Sequence, residues 1–389
     1  MKQVLSFAAA LLALAGASSQ AQTSQGVSKN EIVLGSIQDL SGPIAGFGKQ
    51  VRQGMLLRVD ELNEQGGING RKIRLLIEDS AYDPKKAVLA AQKLVNQDKI
   101  FAMVAHIGTP TNNAAMPVQF EKNVINFFPV TAAREMTEPV HKLKFAGGSS
   151  YYDQMRVALP RLIKDKGAKK ICTIYQDDEF GLEVFRGAEA GLKAVGMDFT
   201  EKTTYKRGAT DFSSQVARMK AANCDLVVLG TIIRETIGTI AEGRKTGFNP
   251  TYLGSSATYT DLIHKLGKKA MDGLYATHTV QHPYMDEVSP KIAFWAKKYQ
   301  TKFGDDPTVF SVYGYSAIDT FIQAAQKAGP NLSTDSFIKA MESLTFPPDM
   351  FGSAELTFGP AKRAGSNMTR MSQLQDERWK PVTEYVKPQ

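Results

Sequence analysis

Residues 103–133 read MVAHIGTPTNNAAMPVQFEKNVINFFPVTAA and alternate between apolar runs and loops of small residues. The apolar runs at 101–105 and 124–128 predict two buried strands, and residues 112–121 predict the helix that connects them. Ligands of open α/β sheets bind beyond the carboxyl ends of the strands. The loops after both strands are rich in Gly, Thr and Ala, and the amides that begin the helix favour an anion. The segment therefore predicts a carboxylate-binding cleft.

The first residues have the pattern of a secretory signal peptide. Lys2 precedes an almost wholly apolar run at 4–14, and small residues occupy positions Ser19 and Ala21. The run is too short for a membrane anchor, which needs roughly 20 apolar residues. We therefore expect cleavage near Ala21, so that residues 1–21 are the signal peptide and the mature chain is a soluble, periplasmic protein.

The composition is that of a globular protein, with 43% hydrophobic and 22% charged residues. The net charge of +8 is spread along the chain, which argues against a nucleic-acid partner. Cys172 and Cys224 are the only cysteines. Export permits a disulfide, but a bridge requires Cα atoms within about 7 Å. Because no sequence pattern places them so close, we favour two buried thiols.

Predicted strands alternate with predicted helices along most of the chain, which indicates an α/β fold with doubly wound parallel sheets. The pattern restarts near residue 149, so we expect two lobes. The long helices predicted at 290–303 and 308–327 most simply return to the first lobe. Lobe 1 then comprises residues 27–148 plus 278–347, and lobe 2 comprises 149–277 plus 348–389. Several chain crossings make a multi-strand hinge that can close around a ligand.

Sequence motifs of common enzymes are missing. No G-x-S-x-G elbow is present, and Gly46-Phe47-Gly48 lacks the third glycine of the dinucleotide fingerprint. His278 and His282 do not have the helical spacing of a zinc site. We therefore expect no enzyme, no catalytic residue, no cofactor and no metal. A hydrolase would require a nucleophile and a base brought together in the cleft from distant positions.

The first eighty residues of the mature chain carry the most specific motifs. Residues 41–48, SGPIAGFG, match the pattern S-G-x-x-A-x-x-G, and residues 79–84, DSAYDP, match D-x-x-x-D-P. With NEQGGING at 63–70 and DFS at 211–213, the chain resembles the leucine/isoleucine/valine-binding family of periplasmic solute-binding proteins. The resemblance implies a type I periplasmic binding protein, two lobes and a three-stranded hinge. It also implies a monomer that captures a small solute and delivers it to the membrane permease of an ABC transporter.

The resemblance also implies which residues form the site. Phe47 stands where the family has an aromatic residue on the ligand. The loops after the third and fourth strands hold the ligand carboxylate with hydroxyls and amides, and Ala132 stands where the family often has Thr. In the second lobe Phe180 matches a family aromatic, and Ile232 replaces another. The positions expected to bind the ligand are Phe47, Thr109, Thr111, Val130, Thr131, Tyr151, Phe180, Ile232 and Ser256.

Ser256 stands where the family has an acid that receives the ligand ammonium. An ammonium without a counter-charge in a closed cleft would cost several kcal/mol, unless Glu235 or Asp177 substitutes. We therefore expect an organic carboxylate without an amine, aromatic acids included, enclosed with the help of Tyr151 and Tyr259. The alternatives are a branched-chain or other amino-acid-binding protein, and a ligand-sensing subunit of a membrane receptor.

Overall fold

A computed structural model describes residues 24–286 and 289–388. The signal peptide expected at residues 1–21 lies outside these ranges. Within them, no helix is both long enough and apolar enough to cross a membrane.

The first sheet is parallel throughout, with strand order β2-β1-β3-β4-β5. Its strands are β1 (Glu31–Gln38), β2 (Lys72–Asp79), β3 (Ala102–Val104), β4 (Ile125–Phe127) and β5 (Lys144–Phe145). The helices between them are α1 (Ala45–Glu64), α2 (Pro84–Gln92), which continues as a π-helical turn over Lys93–Gln97, and α3 (Thr109–Glu121). Since β1, β3 and β4 are neighbours, the loops after these strands meet at one edge of the sheet.

The second sheet has the order β14-β13-β10-β9-β8-β6-β7, with β6 to β10 parallel and the last two strands antiparallel. Its strands are β6 (Ile171–Gln176), β7 (Glu201–Tyr205), β8 (Leu226–Gly230), β9 (Thr251–Gly254), β10 (Tyr275–His278), β13 (Arg370–Gln375) and β14 (Arg378–Pro381). The helices along this part of the chain are α4 (Tyr151–Lys166), α5 (Glu179–Ala194), α6 (Ser213–Ala221), α7 (Arg234–Thr246) and α8 (Asp261–Gly267). A short pair, β11 (Thr345–Phe346) and β12 (Leu356–Thr357), stands apart. The predicted α/β class with parallel-sheet lobes is confirmed.

Three helices follow β10: α9 (Pro290–Phe303), α10 (Val309–Ala328) and α11 (Thr334–Ser343). We call the first sheet with its helices the first unit, and the second sheet with its helices the second unit. Helix α10 packs directly on α1 of the first unit. A Cβ atom on Gly54 would lie 1.9 Å from the carbonyl oxygen of Ser311, and one on Gly314 would lie 2.2 Å from that of Val51. Only glycine permits so close an approach of two helices. Phe321 of α10 adds edge-to-face contacts with Phe101 and Phe127.

Helix α1 starts earlier than its sequence predicts. The glycine-rich segment indicates a loop up to residue 50, but the helix begins at Ala45, which places Phe47 in its first turn. The Asp39 carboxylate accepts hydrogen bonds from the amides of Ser41 and Ile44 and so fixes the approach to the helix. A Cβ on Gly48 would lie 1.9 Å from the Asp39 carbonyl oxygen. Close packing here overrides the weak helix propensity of glycine.

The expectation of two buried thiols is wrong. Cys172 and Cys224 form a disulfide, with Cα atoms 5.9 Å apart. Strands β6 and β8 are neighbours, and Cys172 pairs with Val227, so the turn before β8 lies beside the start of β6. Strand order, which the sequence does not display, brings the two cysteines together.

Candidate functional site

A cavity of about 260 Å³ lies between the two units, beyond the carboxyl ends of β3 and β4. Eight of the nine expected binding residues line it, namely Phe47, Thr109, Val130, Thr131, Tyr151, Phe180, Ile232 and Ser256. Thr111 does not. Its hydroxyl donates to the carbonyl oxygen of Ile107 at 2.5 Å, inside the first turn of α3. We therefore leave its side chain out of the candidate site.

Three hydroxyl groups from both units meet at one end of the cavity. The side-chain oxygens of Thr109 and Thr131 are 2.6 Å apart, and the Tyr151 phenol interacts with Thr131. Burial raises the pKa of Tyr151, so the phenol keeps its proton and can donate it. The backbone amide of Tyr151 also donates to the carbonyl of Ala132 at 2.7 Å. We call Thr109, Thr131 and Tyr151 the hydroxyl cluster.

Thr109 of this cluster is also the first residue of helix α3, and Pro110, the second, has no N–H. Gly108 precedes the helix with φ of 95°, and a Cβ there would lie 2.6 Å from the Tyr82 ring. The N–H groups of the first helical turn have no intrahelical acceptor and carry partial positive charge. By contrast, the amide of Val130 already donates to the His106 carbonyl at 2.9 Å. The groups available to donate hydrogen bonds to an anion are therefore the hydroxyls and the N-terminus of the helix.

Aromatic rings from both units form the walls. Phe47 is stacked on Phe310 of α10, with ring centres 3.6 Å apart and an angle of 11° between planes. Tyr151 meets Phe180 edge to face at 5.3 Å. Ring faces of this kind suit an apolar or aromatic ligand body. Tyr259, expected to help, lies outside the cavity and stacks on His278 instead, with ring centres 4.3 Å apart.

Ser256 does face the cavity, and Gln154 holds its loop. The Gln154 side-chain oxygen accepts from the Ser256 amide and from the Thr277 hydroxyl, both at 2.9 Å. Its nitrogen donates to the Ser149 carbonyl at 2.8 Å. Gln154 thus connects the loop of Ser256 to β10 and to Ser149, where the chain first passes from one unit to the other.

The acids proposed as substitutes for the family's ammonium receptor do not line the cavity. Glu235 is buried elsewhere, where burial raises the pKa of its carboxyl, and Asp177 is paired with Lys206. Three other acids do line it: Glu138, Asp153 and Asp349. Asp153 accepts from Arg156 at 2.8 Å.

Two arginines connect the units beside the cavity, one through an ion pair and the other through a hydrogen bond to a backbone carbonyl. Arg134, after β4, makes a two-point contact with Glu183 of α5 at 2.8 and 2.9 Å. Arg207 of the second unit pairs with Asp178 at 3.0 Å and donates to the Tyr82 carbonyl at 3.3 Å. These contacts require the units to be close together. Since Arg134 is neutralised by Glu183, the pair adds little net charge to the cavity.

Sequence reasoning missed several lining residues, among them Tyr82, Gln154, Phe310 and Tyr313. Tyr82 stands inside the D-x-x-x-D-P motif, which was a signal available in the sequence. The last two belong to α10 and come from far along the chain, so only the fold shows that they reach the site. No group of three His, Cys, Asp or Glu side chains within residues 24–286 and 289–388 could hold a metal ion.

Comparison with known proteins finds relatives of similar sequence and solved structures of similar fold. An amino acid binding protein of Pseudomonas aeruginosa is 26% identical over 306 residues, which cover 77% of this chain and 80% of the relative. A fatty acid ABC transporter substrate-binding protein from Thermomonospora curvata superposes with a TM-score of 0.85 at 23% identity, covering 94% of this chain and 95% of that one. A solute binding protein of R. palustris in complex with benzoate gives 0.80 at 17% identity, covering 92% and 98%. These two structures share the fold.

The family model described as periplasmic binding protein matches residues 31–377, nearly the whole described chain. This family consists of solute-binding components rather than enzymes, and membership implies a periplasmic location. The chain therefore belongs to the periplasmic binding proteins, the solute-binding components of ABC transporters.

Proposed function

We propose that this protein captures a small organic carboxylate between its two lobes and delivers it to the permease of an ABC importer. The hydroxyl cluster carries the proposal, because Thr109, Thr131 and Tyr151 offer neutral donors beside the N-terminus of α3. Hydrogen bonds to a charged group are worth about 1.5–3 kcal/mol each. The aromatic walls then receive the rest of the acid.

The polar groups beside the second-unit wall of the cavity favour a ligand without an α-amino group. Ser256 supplies a hydroxyl where an ammonium would need a carboxylate, and Asp153 already pairs with Arg156. Burying an unpaired ammonium would cost several kcal/mol. An acid with an apolar or aromatic body incurs no such cost.

An amino-acid ligand is the second candidate. The Pseudomonas aeruginosa relative, an amino acid binding protein, supports it. In that case one of the three lining acids would have to receive the ligand ammonium, and Asp153 could do so only by exchanging Arg156 for it. The two candidates differ in whether the free acid or its α-amino counterpart binds more tightly.

Lobe 1 in this proposal comprises residues 27–148 plus 278–347, and lobe 2 comprises 149–277 plus 348–389. The packing of α10 on α1 supports the first assignment. The pairing of β13 with β10 supports the second. A monomer needs no partner copy to complete the cavity, because both walls come from one chain.

A thermal-shift panel tests the proposal with benzoates, keto acids, dicarboxylates, fatty acids and amino acids. A ligand at 100 times its dissociation constant stabilises the folded chain by about 2.7 kcal/mol. We expect at least one acid without an α-amino group to raise the melting temperature more than any α-amino acid does. If leucine or another amino acid stabilises the protein and its deaminated analogue does not, the proposal is wrong.

A further inference from the structure

The cavity continues beyond the aromatic walls into the hinge region. Helix α10 contributes Phe310, Tyr313, Ser316 and Thr320 to its lining. These positions span ten residues of one helix face, which corresponds to about 15 Å at 1.5 Å per residue. Phe310 lies at the first end, stacked on Phe47. Tyr313 lies near Tyr151 of the hydroxyl cluster. Thr320 lies about 10 Å further along the helix, so the cavity extends past the site of the carboxylate.

The far part of the cavity has a lining of its own, which we call the hinge compartment. It is formed by Ser316, Thr320, Asp349, Ser353, Ala354 and Leu356. The chain crossing at Gly147 and Gly148 lies between it and the hydroxyl cluster. A Cβ on Gly147 would lie 3.2 Å from the Phe128 ring, and one on Gly148 would lie 3.1 Å from Thr279. Glycines at this crossing therefore let the chain pack closely against Phe128 and Thr279.

Asp349 gives the hinge compartment its chemical preference. One carboxylate oxygen accepts from the amides of Phe351 and Ser353 at 3.0 and 3.2 Å, which fixes the side chain. In the described part of the chain, the other oxygen of this half-buried side chain accepts one long hydrogen bond, from the Ser316 hydroxyl at 3.3 Å. Within residues 24–286 and 289–388, no Lys or Arg nitrogen lies within 4.0 Å of this carboxylate. A carboxylate accepts hydrogen bonds and does not donate them, so its natural ligand group is a donor.

We infer that the ligand is an elongated monocarboxylate whose far end carries a hydrogen-bond donor, an ammonium or a hydroxyl, received by Asp349. This inference rests on the proposed function, because it takes the hydroxyl cluster as the site of the ligand carboxylate. The acid end and the donor end are then held in different compartments. The apolar chain between them passes Tyr313 and Val280.

Isothermal titration calorimetry with benzoate, decanoate, ω-hydroxydecanoate and ω-aminodecanoate tests the inference. Wild-type protein should bind ω-aminodecanoate about tenfold more tightly than decanoate, since a hydrogen bond to a charged group is worth at least this ratio. Asp349→Asn keeps an acceptor for the two amides and removes the charge. In this variant the ratio of the two affinities should fall to near one. Asp335→Asn, at an exposed position of helix α11 away from the cavity, is the matched control and should keep the wild-type ratio.

A second variant tests the inference independently, in case Asp349→Asn does not fold. Ala354→Leu fills the hinge compartment and should weaken decanoate binding about tenfold relative to benzoate, because the apolar chain loses its space. If wild-type protein binds the acids but shows no preference for ω-aminodecanoate, or if Ala354→Leu leaves the decanoate-to-benzoate ratio unchanged, the inference is overturned while the proposed function stands. If none of these four ligands binds and an α-amino acid does, the proposed function itself has failed.

Discussion

At the scale of single residues, the site depends on hydroxyl groups that the sequence places on two separate loops. Thr109 and Thr131 could be chosen from sequence because each follows a buried apolar run. Their 2.6 Å contact could not, since it depends on β3 and β4 being adjacent. Thr111 shows the limit of the same reasoning. It has the expected type and position, but the helix turns its hydroxyl back to the Ile107 carbonyl.

Thr131→Val removes one hydroxyl of the cluster with little change of shape. We expect roughly a tenfold loss of affinity for the acid, because a hydrogen bond to a charged group is worth about 1.5–3 kcal/mol. Thr203→Val is the matched control. Thr203 is equally buried, and its hydroxyl donates to the Thr173 carbonyl at 3.0 Å, away from the cavity. Calorimetry in which both variants bind the acid like wild type would remove the cluster from the site.

At the scale of elements, the bounds predicted from sequence are close to the observed ones for most helices and strands. For α9 (Pro290–Phe303) they are the same. The differences arise where tertiary packing decides. Helix α1 extends through a glycine-rich segment because Gly48 lies against Asp39. Helix α8 and strand β14 were not predicted, because both are short and β14 is stabilised by its pairing with β13. The disulfide likewise follows from the neighbouring positions of β6 and β8.

The Cys172–Cys224 bridge closes a segment of 52 residues within the second unit. Replacing both cysteines by alanine should lower the free energy of unfolding by about 2–4 kcal/mol, because the unfolded chain regains the entropy of that loop. Urea unfolding with and without a thiol reductant measures the change. Wild type should weaken under reductant to the level of the double variant, and the double variant should not respond. Equal midpoints for all samples would show that the bridge does not stabilise the fold.

At the scale of the whole molecule, the resemblance read from SGPIAGFG and DSAYDP was sufficient to identify the family. The cavity itself could not be predicted from sequence, because its lining comes from distant segments, from Ile44 to Met368. The ion pair of Arg134 with Glu183 and the hydrogen bond from Arg207 to the Tyr82 carbonyl join the units around it. In the proposed function these contacts form as the lobes close, so that binding of the solute is coupled to closure of the hinge.

Small-angle X-ray scattering with and without a saturating acid tests this central claim most directly. The acid that stabilises the protein most in the thermal-shift panel should reduce the radius of gyration, because the closed state is selected by a ligand that contacts both lobes. A compound from the panel that does not stabilise the protein serves as the control and should leave the scattering unchanged. An acid that binds by calorimetry without changing the radius of gyration would contradict capture by closure.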